Sequence, residues 1–283
     1  MESAPYSMIT LIPTPIGNPQ DITIRAMRLF EQAELFLCED TRETKKLLRL
    51  LAERFDMRFP QADFQSFHEH NGAERIGQLS RELAEKKVVF VSDAGMPAIS
   101  DPGQLLVAWA QEQGVDYDVL PGASAVVTAY AASGFERGDF RFFGFLPHKG
   151  KDRQNRFDEV LASTSDAILY ESPHRLEKLL DALVAADPSR EIFVAKELTK
   201  RYQTYYRGTS ESVRESVLAK TIRGEWVVVI RGQQNEARTL TLEAVLRLDL
   251  PPKPKAKLLA LLSDLSVKEW YERIRNRELE IGG

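Results

Sequence analysis

The chain has 283 residues, 43% of them hydrophobic and 28% charged, enough to bury a sizeable core and ordinary for a globular protein. With 38 Lys and Arg against 42 Asp and Glu the formal charge is −4, so the surface as a whole is not built to attract polyanions, and nucleic-acid contact requires a local patch. No apolar run approaches membrane-spanning length, no basic residue precedes Arg25 as a signal peptide requires, and the single Cys38 excludes an intrachain disulfide; the expectation is a cytoplasmic protein without membrane association.

Met8 to Ile12 reads as a short apolar strand running into PTPIGN, residues 13 to 18, where prolines extend the backbone and Gly17 permits close approach to a ligand. Asp21 is expected to cap a helix whose apolar positions Ile22, Ile24, Met27, Leu29 and Phe30 share one face. Leu35 to Cys38 is the second strand, with Cys38 a small buried residue. It ends in Glu39, Asp40, Thr41 and Arg42, and Thr41 is the expected cap of a helix through Leu51 that carries Arg42, Lys45, Lys46 and Arg49. Phe64 to Phe67 is a third strand leading to His68, Glu69, His70 and Asn71. These histidines lack the i, i+4 spacing of a helical zinc motif, and no further Cys/His cluster supports them, so no metal is expected.

A helix over 73–85 leads into Val88 to Val91, four apolar residues that read as a buried parallel strand. Within eleven residues then come Asp93, Gly95, Pro97, Asp101, Pro102 and Gly103, before Leu105, Leu106, Val107 and Trp109 resume helical spacing over 103–113. A long loop stiffened by prolines at the carboxyl end of a strand is where open α/β sheets hold ligands. The alternative is a surface connection whose Asp residues cap the helix. Neither G-x-G-x-x-G nor G-x-x-x-x-G-K-[ST] is present, so no dinucleotide fingerprint or P-loop is written here. Tyr117 to Leu120 is the next strand, ending at Pro121, Gly122, Ala123, Ser124 and Ala125 before a small-residue helix to Ser133. Five rounds of strand and helix argue an α/β fold with a mostly parallel sheet covered on both faces.

Composition shifts after Gly134. Arg141 to Leu146 is a strand, followed by the basic loop Pro147 to Lys151 and a helix over 152–162; between Arg141 and Arg156 five Lys/Arg face one acid, Asp152. Strand Ala167 to Tyr170 leads through Glu171, Ser172, Pro173 and His174 into a helix over 175–186, and strand Ile192 to Ala195 follows. Residues 196–207 carry four Lys/Arg interleaved with Tyr202, Tyr205 and Tyr206, a pattern that suits phosphate contact and base stacking, or a strand with one wet face. A helix over 209–220 and strand Trp226 to Ile230 close this half. Gln233 to Thr239 reads as a linker to a helical remainder, Leu242 to Leu248, Ala256 to Leu262 and Val267 to Ile274, interrupted by a Pro-Lys-rich break at 251–255. The expected domains are 1–121, 122–235 and a helical appendage, 236–283.

The loop motifs together resemble the tetrapyrrole methylase superfamily and, within it, the family of ribosomal RNA small-subunit methyltransferase I. The residues that carry the resemblance are PTPIGN-x-x-DIT-x-RA at 13–26, EDTR-x-T at 39–44, HEHN at 68–71, SDAG-x-P-x-ISDPG at 92–103, PG-x-SA at 121–125, GFLP at 144–147, ESPHR at 171–175, ELTK at 197–200 and GE at 224–225. Pro19, Met96 and Ala123 depart from the residues usual in that family. The resemblance implies two α/β domains with S-adenosylmethionine in the cleft between them, a homodimer, and 2′-O-methylation of a cytidine in small-subunit (16S) rRNA or the 30S particle. A tetrapyrrole ring-carbon methyltransferase and a non-catalytic ribosome-assembly protein are the alternatives.

On that reading the cofactor is expected at Pro15 and Gly17, along Asp93, Ala94, Gly95 and Pro97, at Ser100 and Asp101, at the turn of Pro121, Gly122, Ser124 and Ala125, and at Glu171 and Ser172. A ribose hydroxyl is a weak nucleophile, so a base or cation should stand near the developing alkoxide. Glu197 and Lys200 are the first candidates, Glu39 and Arg42 the second; Glu197 and Lys200 could equally form an ion pair that only stabilises the strand end. RNA contact is expected from Arg42, Lys45, Lys46, His68, His70 and Asn71, from Lys149, Lys151 and Arg153, and from His174, Arg175, Lys200 and Arg201.

Overall fold

The computed structural model describes residues 9–136, 138–233 and 242–276. The chain divides into two compact units, Met1–Gly232 and Gln233–Gly283. Met8 and most of the expected linker, from residue 234, lie outside the described residues.

The first unit holds two five-stranded sheets. In the first, β1 (Ile9–Leu11), β2 (Leu35–Cys38), β3 (Asp63–Ser66), β4 (Val88–Val91) and β5 (Tyr117–Val119) run parallel in the order β3-β2-β4-β1-β5. The central strands β2 and β4 are apolar throughout because both faces are covered, and the two-residue period then sorts their side chains. Phe36, Cys38, Val89 and Val91 pack under α1 (Ile24–Gln32) and α2 (Thr41–Phe55). Leu35, Leu37, Val88 and Phe90 pack under α3 (Gly72–Glu85) and α4 (Gly103–Gln113). Burial pushes the Cys38 thiol up to about 12, so it is an inert core residue.

Helix α5 (Ala125–Ser133) lays Val126 and Ala129 on one face of the second sheet, against Ile168, Phe193, Val227 and Val229. That sheet comprises β6 (Phe140–Phe145), β7 (Asp166–Glu171), β8 (Glu191–Lys196), β9 (Thr204–Thr209) and β10 (Trp226–Ile230) in the order β6-β7-β10-β8-β9. Only β6 and β7 pair in parallel; the other pairs are antiparallel. Its opposite face carries α6 (Gly150–Ala162), α7 (Pro173–Ala186) and α8 (Ser210–Leu218).

Several local expectations change. The cap of α1 is Thr23, not Asp21, and that of α2 is Asp40, not Thr41: each has an extended backbone and a side-chain oxygen accepting from the N–H two or three residues on, Ala26 at 3.0 Å and Arg42 at 2.8 Å. The basic aromatic stretch is a strand end, a turn over 197–203 that leaves Tyr202 exposed, and then β9, in which Tyr206 is buried and Tyr205 is exposed.

The second unit contains α9 (Leu242–Arg247), α10 (Pro252–Leu261) and α11 (Val267–Asn276) around Val245, Ala256, Leu259 and Trp270. The Pro-Lys-rich segment is no break; it is the first turn of α10, where proline forfeits no intrahelical hydrogen bond. Lys255 is buried there because its ammonium donates to the Leu246 and Leu248 carbonyls at 2.6 and 2.9 Å, closing the end of α9.

Candidate functional site

Parallel pairing puts the carboxyl ends of β1 to β5 on one edge, so the loops 12–18, 39–40 and 92–102 and the turn 120–124 must meet there. Hydrogen bonds join them. Thr14 and Gly95 exchange backbone bonds at 3.1 and 3.0 Å, and Ser92 Oγ donates to the Gly95 carbonyl at 3.1 Å. Glu39 accepts from the Asp93 N–H at 2.8 Å, and Asp93 accepts from the Asp40 N–H at 3.1 Å. Asp101 accepts from the Ala98 and Gly103 N–H groups at 2.9 and 2.8 Å, which organises the loop and the start of α4. The cap of α4 is Pro102, which has no side-chain bond to offer, so Asp101 braces the first turn from one residue earlier and lines a hollow as well. Ala98 sits at φ 64°, a left-handed conformation that costs a non-glycine residue about 1–2 kcal/mol and that these bonds hold in place.

The second sheet presents its matching edge: Glu171 ends β7 beside Trp226 at the start of β10, which pairs with Lys196 at the end of β8. Two contacts bind this edge to the PTPIGN loop. Ile16 is buried among Val126, Ala129, Phe193 and Leu198. Thr199 Oγ1 accepts from the Asn18 N–H at 3.0 Å, across 181 residues. Glu197 and Thr199 both adopt left-handed backbone, φ 52° and 61°. Two such residues in one short turn mark a segment whose shape is held from outside.

Three hollows open along the seam, all lined by Ile16 and Ala94. The first, about 430 Å³, is lined by Glu39, Ser92, Gly95, Met96, Ser100, Asp101, Ser124, Ala125 and Tyr170. The second, about 860 Å³ and mostly apolar, adds Phe145, Glu171, Ser172, Pro173 and residues 224–227 to Ala125 and Tyr170. The third, about 800 Å³, lies between PTPIGN and α2 and includes Pro15, Gly17, Pro19, Glu43, Lys46, Leu47, Leu50, Asp93, Lys200 and Glu225.

Charges in the seam are unevenly balanced. Burial raises Glu39, Asp93 and Asp101 above the usual carboxylate range. Lys200 lies between two carboxylates, with Nζ 3.1 Å from both Glu197 Oε1 and Glu225 Oε2. Burial pulls Lys200 down, but Glu225 and Glu197 outweigh it and the amine titrates above an ordinary lysine. Burial pushes Glu197 up, yet the Glu225 N–H and Lys200 outweigh it and hold the carboxyl below its usual range. Burial pushes the Tyr170 hydroxyl up to about 12, so it stays a protonated donor.

The expected cofactor residues fall mainly on the first two hollows. Pro15 and Gly17 line the third, and Asp93 lines it too; Pro97 is buried, while Pro121 and Gly122 are exposed, Gly122 backing onto Pro13. The expected RNA residues are not all free cations. Lys46 and Lys200 share the third hollow, whereas Lys45 lies over the Phe64 ring and Arg42 pairs with its neighbour Asp40. Arg153 and Arg175 turn inward onto the buried Glu171, at 3.4 and 2.8 Å, because a fully desolvated carboxylate needs cations. Lys149, Lys151, His174 and Arg201 are exposed. Asn71 closes its own turn by accepting from the His68 N–H at 2.8 Å, and His70 is exposed. Among the described residues no group of three His, Cys, Asp or Glu is placed to hold a metal.

Sequence reasoning passed over Ile16, Tyr170 and Glu225 as site residues. Glu225 could have been suspected from Gly224, which leaves room for the Glu197 carboxylate: a Cβ there would lie 2.5 Å from Glu197 Oε1.

The profile of the family described as Tetrapyrrole (Corrin/Porphyrin) Methylases matches residues 8–214. A protein of Helicobacter pylori (strain ATCC 700392 / 26695) named Ribosomal RNA small subunit methyltransferase I is 43% identical over 277 residues, 93% of this chain and 96% of that one. Its namesake in Campylobacter fetus subsp. fetus (strain 82-40) is 38% identical over 269 residues, 94% and 99% of the two chains. Among solved structures, the cobalamin biosynthetic enzyme cobalt precorrin-4 methyltransferase superposes with a TM-score of 0.57 at 19% identity, over 79% of this chain and 94% of that one, a likeness of fold.

Proposed function

Since the chain belongs to the ribosomal RNA small-subunit methyltransferase I family of the tetrapyrrole methylases, we propose that it transfers a methyl group from S-adenosylmethionine to the 2′-hydroxyl of a cytidine in small-subunit rRNA. The observation that carries this reading is the junction at Ile16 and Ala94, where two hollows fit for the methyl donor open into a third that holds a bracketed lysine.

The residues present suit the donor. The apolar hollow with Phe145 and Tyr170 takes a flat adenine ring, while Ser92, Ser100 and Ser124 of the first hollow offer hydroxyls to the amino-acid end. Glu39 and Asp101 there supply negative charge to a cationic ligand. When bound, S-adenosylmethionine supplies a methyl carbon on a sulfonium, which the ribose oxygen attacks as the carbon–sulfur electron pair stays on sulfur. Lys200, kept protonated, donates to that oxygen as negative charge develops on it. Glu225, on the solvent side of Lys200 and 73% exposed, accepts the hydroxyl proton and returns it to water. Glu197 fixes the lysine between them. This assigns Lys200 the role of cation rather than base, because a raised pKa leaves little free amine at neutral pH.

The decisive measurement is transfer of labelled methyl to small-subunit particles from cells lacking this gene, with mass-spectrometric mapping of the product. Label on a cytidine 2′-oxygen supports the reading; label on a base, or none, ends it. We also propose that the enzyme acts in the cytoplasm as a homodimer, the latter checked by light scattering.

A pH dependence follows. Because Glu39 and Asp101 titrate above the usual range, they take up protons, and lose their attraction for a cation, at higher pH than ordinary carboxylates. Affinity for S-adenosylmethionine is therefore expected to be full near neutrality and to fall on acidification, beginning at a higher pH than carboxylates of ordinary pKa would give. S-adenosylhomocysteine, which has no sulfonium, should weaken less. Calorimetric titrations with both ligands test this; equal slopes would remove the carboxylates from the argument.

A further inference from the structure

We propose that the hollow beside α2 is the pocket for the nucleoside being methylated, with Leu47, Leu50 and Pro19 as an apolar shelf for its base and the Glu43–Lys46 pair reading the base edge. The inference rests on the functional reading above and adds to it the residues that choose the substrate.

A base inside RNA structure presents its sugar poorly to an enzyme, so reaction at one ribose favours unstacking that nucleotide into a pocket with apolar walls and a few polar groups. The third hollow has this composition. It meets the two cofactor hollows at Ile16 and Ala94. Lys200 and Glu225 also line it, so a ribose lying between them and the junction has its hydroxyl at the proposed site of transfer.

Helix α2 supplies the opposite wall. Its buried positions are Thr44, Leu48 and Leu51, which face the sheet. Leu47 and Leu50 stand beside that stripe, are only partly buried, and line the hollow. Pro19 extends the same surface from the PTPIGN side. Apolar groups left open at a pocket are suited to pack against the face of a base.

One turn earlier on α2, Glu43 and Lys46 pair with each other at 3.2 Å, and their side chains are 58% and 75% exposed. Such an exposed pair is worth only about 0.2–1 kcal/mol, so it re-forms readily around a ligand. Together they offer one acceptor beside one donor. Cytosine matches this, with its N4 amino group donating and N3 and O2 accepting, and a carboxylate accepting from N4 is an established cytosine contact. Uracil places the O4 lone pairs where cytosine has its amino group, against the Glu43 carboxylate. The pair therefore selects an amino-bearing base and disfavours uridine.

The test uses small-subunit particles reconstituted with cytidine or uridine at the mapped position, and the variants Glu43→Gln, Leu50→Ala and Leu50→Met. Leu50→Ala is expected to raise KM for the particle about tenfold with kcat little changed, and Leu50→Met to restore it. Glu43→Gln should lower the preference for cytidine over uridine about tenfold or more. Calorimetric affinity for S-adenosylmethionine should stay at its wild-type value, since these side chains line neither cofactor hollow. Wild-type KM and base preference in all variants, with the wild-type enzyme active, would overturn the pocket and leave the methyltransferase reading standing. A parallel loss of S-adenosylmethionine affinity would assign the hollow to the cofactor and overturn it too. A wild-type enzyme that transfers no methyl to the cytidine particle would overturn both.

Discussion

Gly17→Ala is expected to reduce kcat/KM for rRNA methylation by about a hundredfold, the scale on which a displacement of about 1 Å in a reacting site is felt. The residue is needed for space, since a Cβ there would lie 2.5 Å from Lys200 Cγ and 2.7 Å from both the Leu198 carbonyl oxygen and Thr199 Oγ1. The lysine stem could bend away. The Leu198 oxygen is backbone, however, and Thr199 is fixed by accepting from the Asn18 N–H at 3.0 Å and by its own N–H donating to Gln203 at 2.6 Å. Relief must therefore come from separating the PTPIGN loop from the 197–200 turn, which moves Lys200 off the junction of the hollows. The overpacking should also cost about 1–3 kcal/mol of stability. Gly77→Ala in α3 is the matched control, because its Cβ meets nothing within 4 Å and alanine favours the helix by up to about 1 kcal/mol. Methyl transfer and urea unfolding of the two variants together decide the matter; wild-type activity in Gly17→Ala would show that the two loops need not touch.

Glu171→Ala should cause the largest loss of stability, about 3–5 kcal/mol in the urea-derived unfolding free energy. The carboxylate has no solvent exposure, and Arg153 and Arg175, 11% and 19% exposed, converge on it from α6 and α7. Removing it strands two nearly buried guanidinium groups. Each retains one backbone acceptor, Pro147 for Arg153 at 3.1 Å and Leu146 for Arg175 at 3.0 Å, but no counter-charge. These carbonyls belong to the segment after Phe145, so the apolar wall proposed for the adenine ring should loosen and the affinity for S-adenosylmethionine fall in step. Arg153→Met should destabilise less, because Arg175 still neutralises the carboxylate. A loss under about 1 kcal/mol for Glu171→Ala would mean that water enters to solvate the arginines.

Several of the cations in this chain of net charge −4 are engaged by its own carboxylates. Arg153 and Arg175 are spent on Glu171, and Arg42 is held by Asp40, which lies well below the usual carboxylate range chiefly through that hydrogen bond. Counting cations along the sequence therefore overstated the basic surface. Lys46 and Lys200 remain at the third hollow, with Lys149, Lys151 and Arg201 exposed elsewhere.

The sequence by itself determined what depends on neighbours within a few residues. The four apolar residues of Val88–Val91, alternating between two covered faces, specify a buried parallel strand, and parallel strands carry their loops to one edge whatever the rest of the chain does. The loop motifs were legible for the same reason, since glycines and prolines act on the backbone where they stand. Even the wrongly placed caps, Asp21 for Thr23 and Thr41 for Asp40, were errors of one or two residues. Tertiary structure alone decided the partners. Asn18 meets Thr199 across 181 residues, Glu171 gathers two arginines, and Lys200 sits between Glu197 and Glu225. A charged side chain can reach several alternatives of similar energy from a given strand or helix. Which one it takes is settled by burial, because desolvation makes an unpaired charge costly only at the places the fold has closed to water.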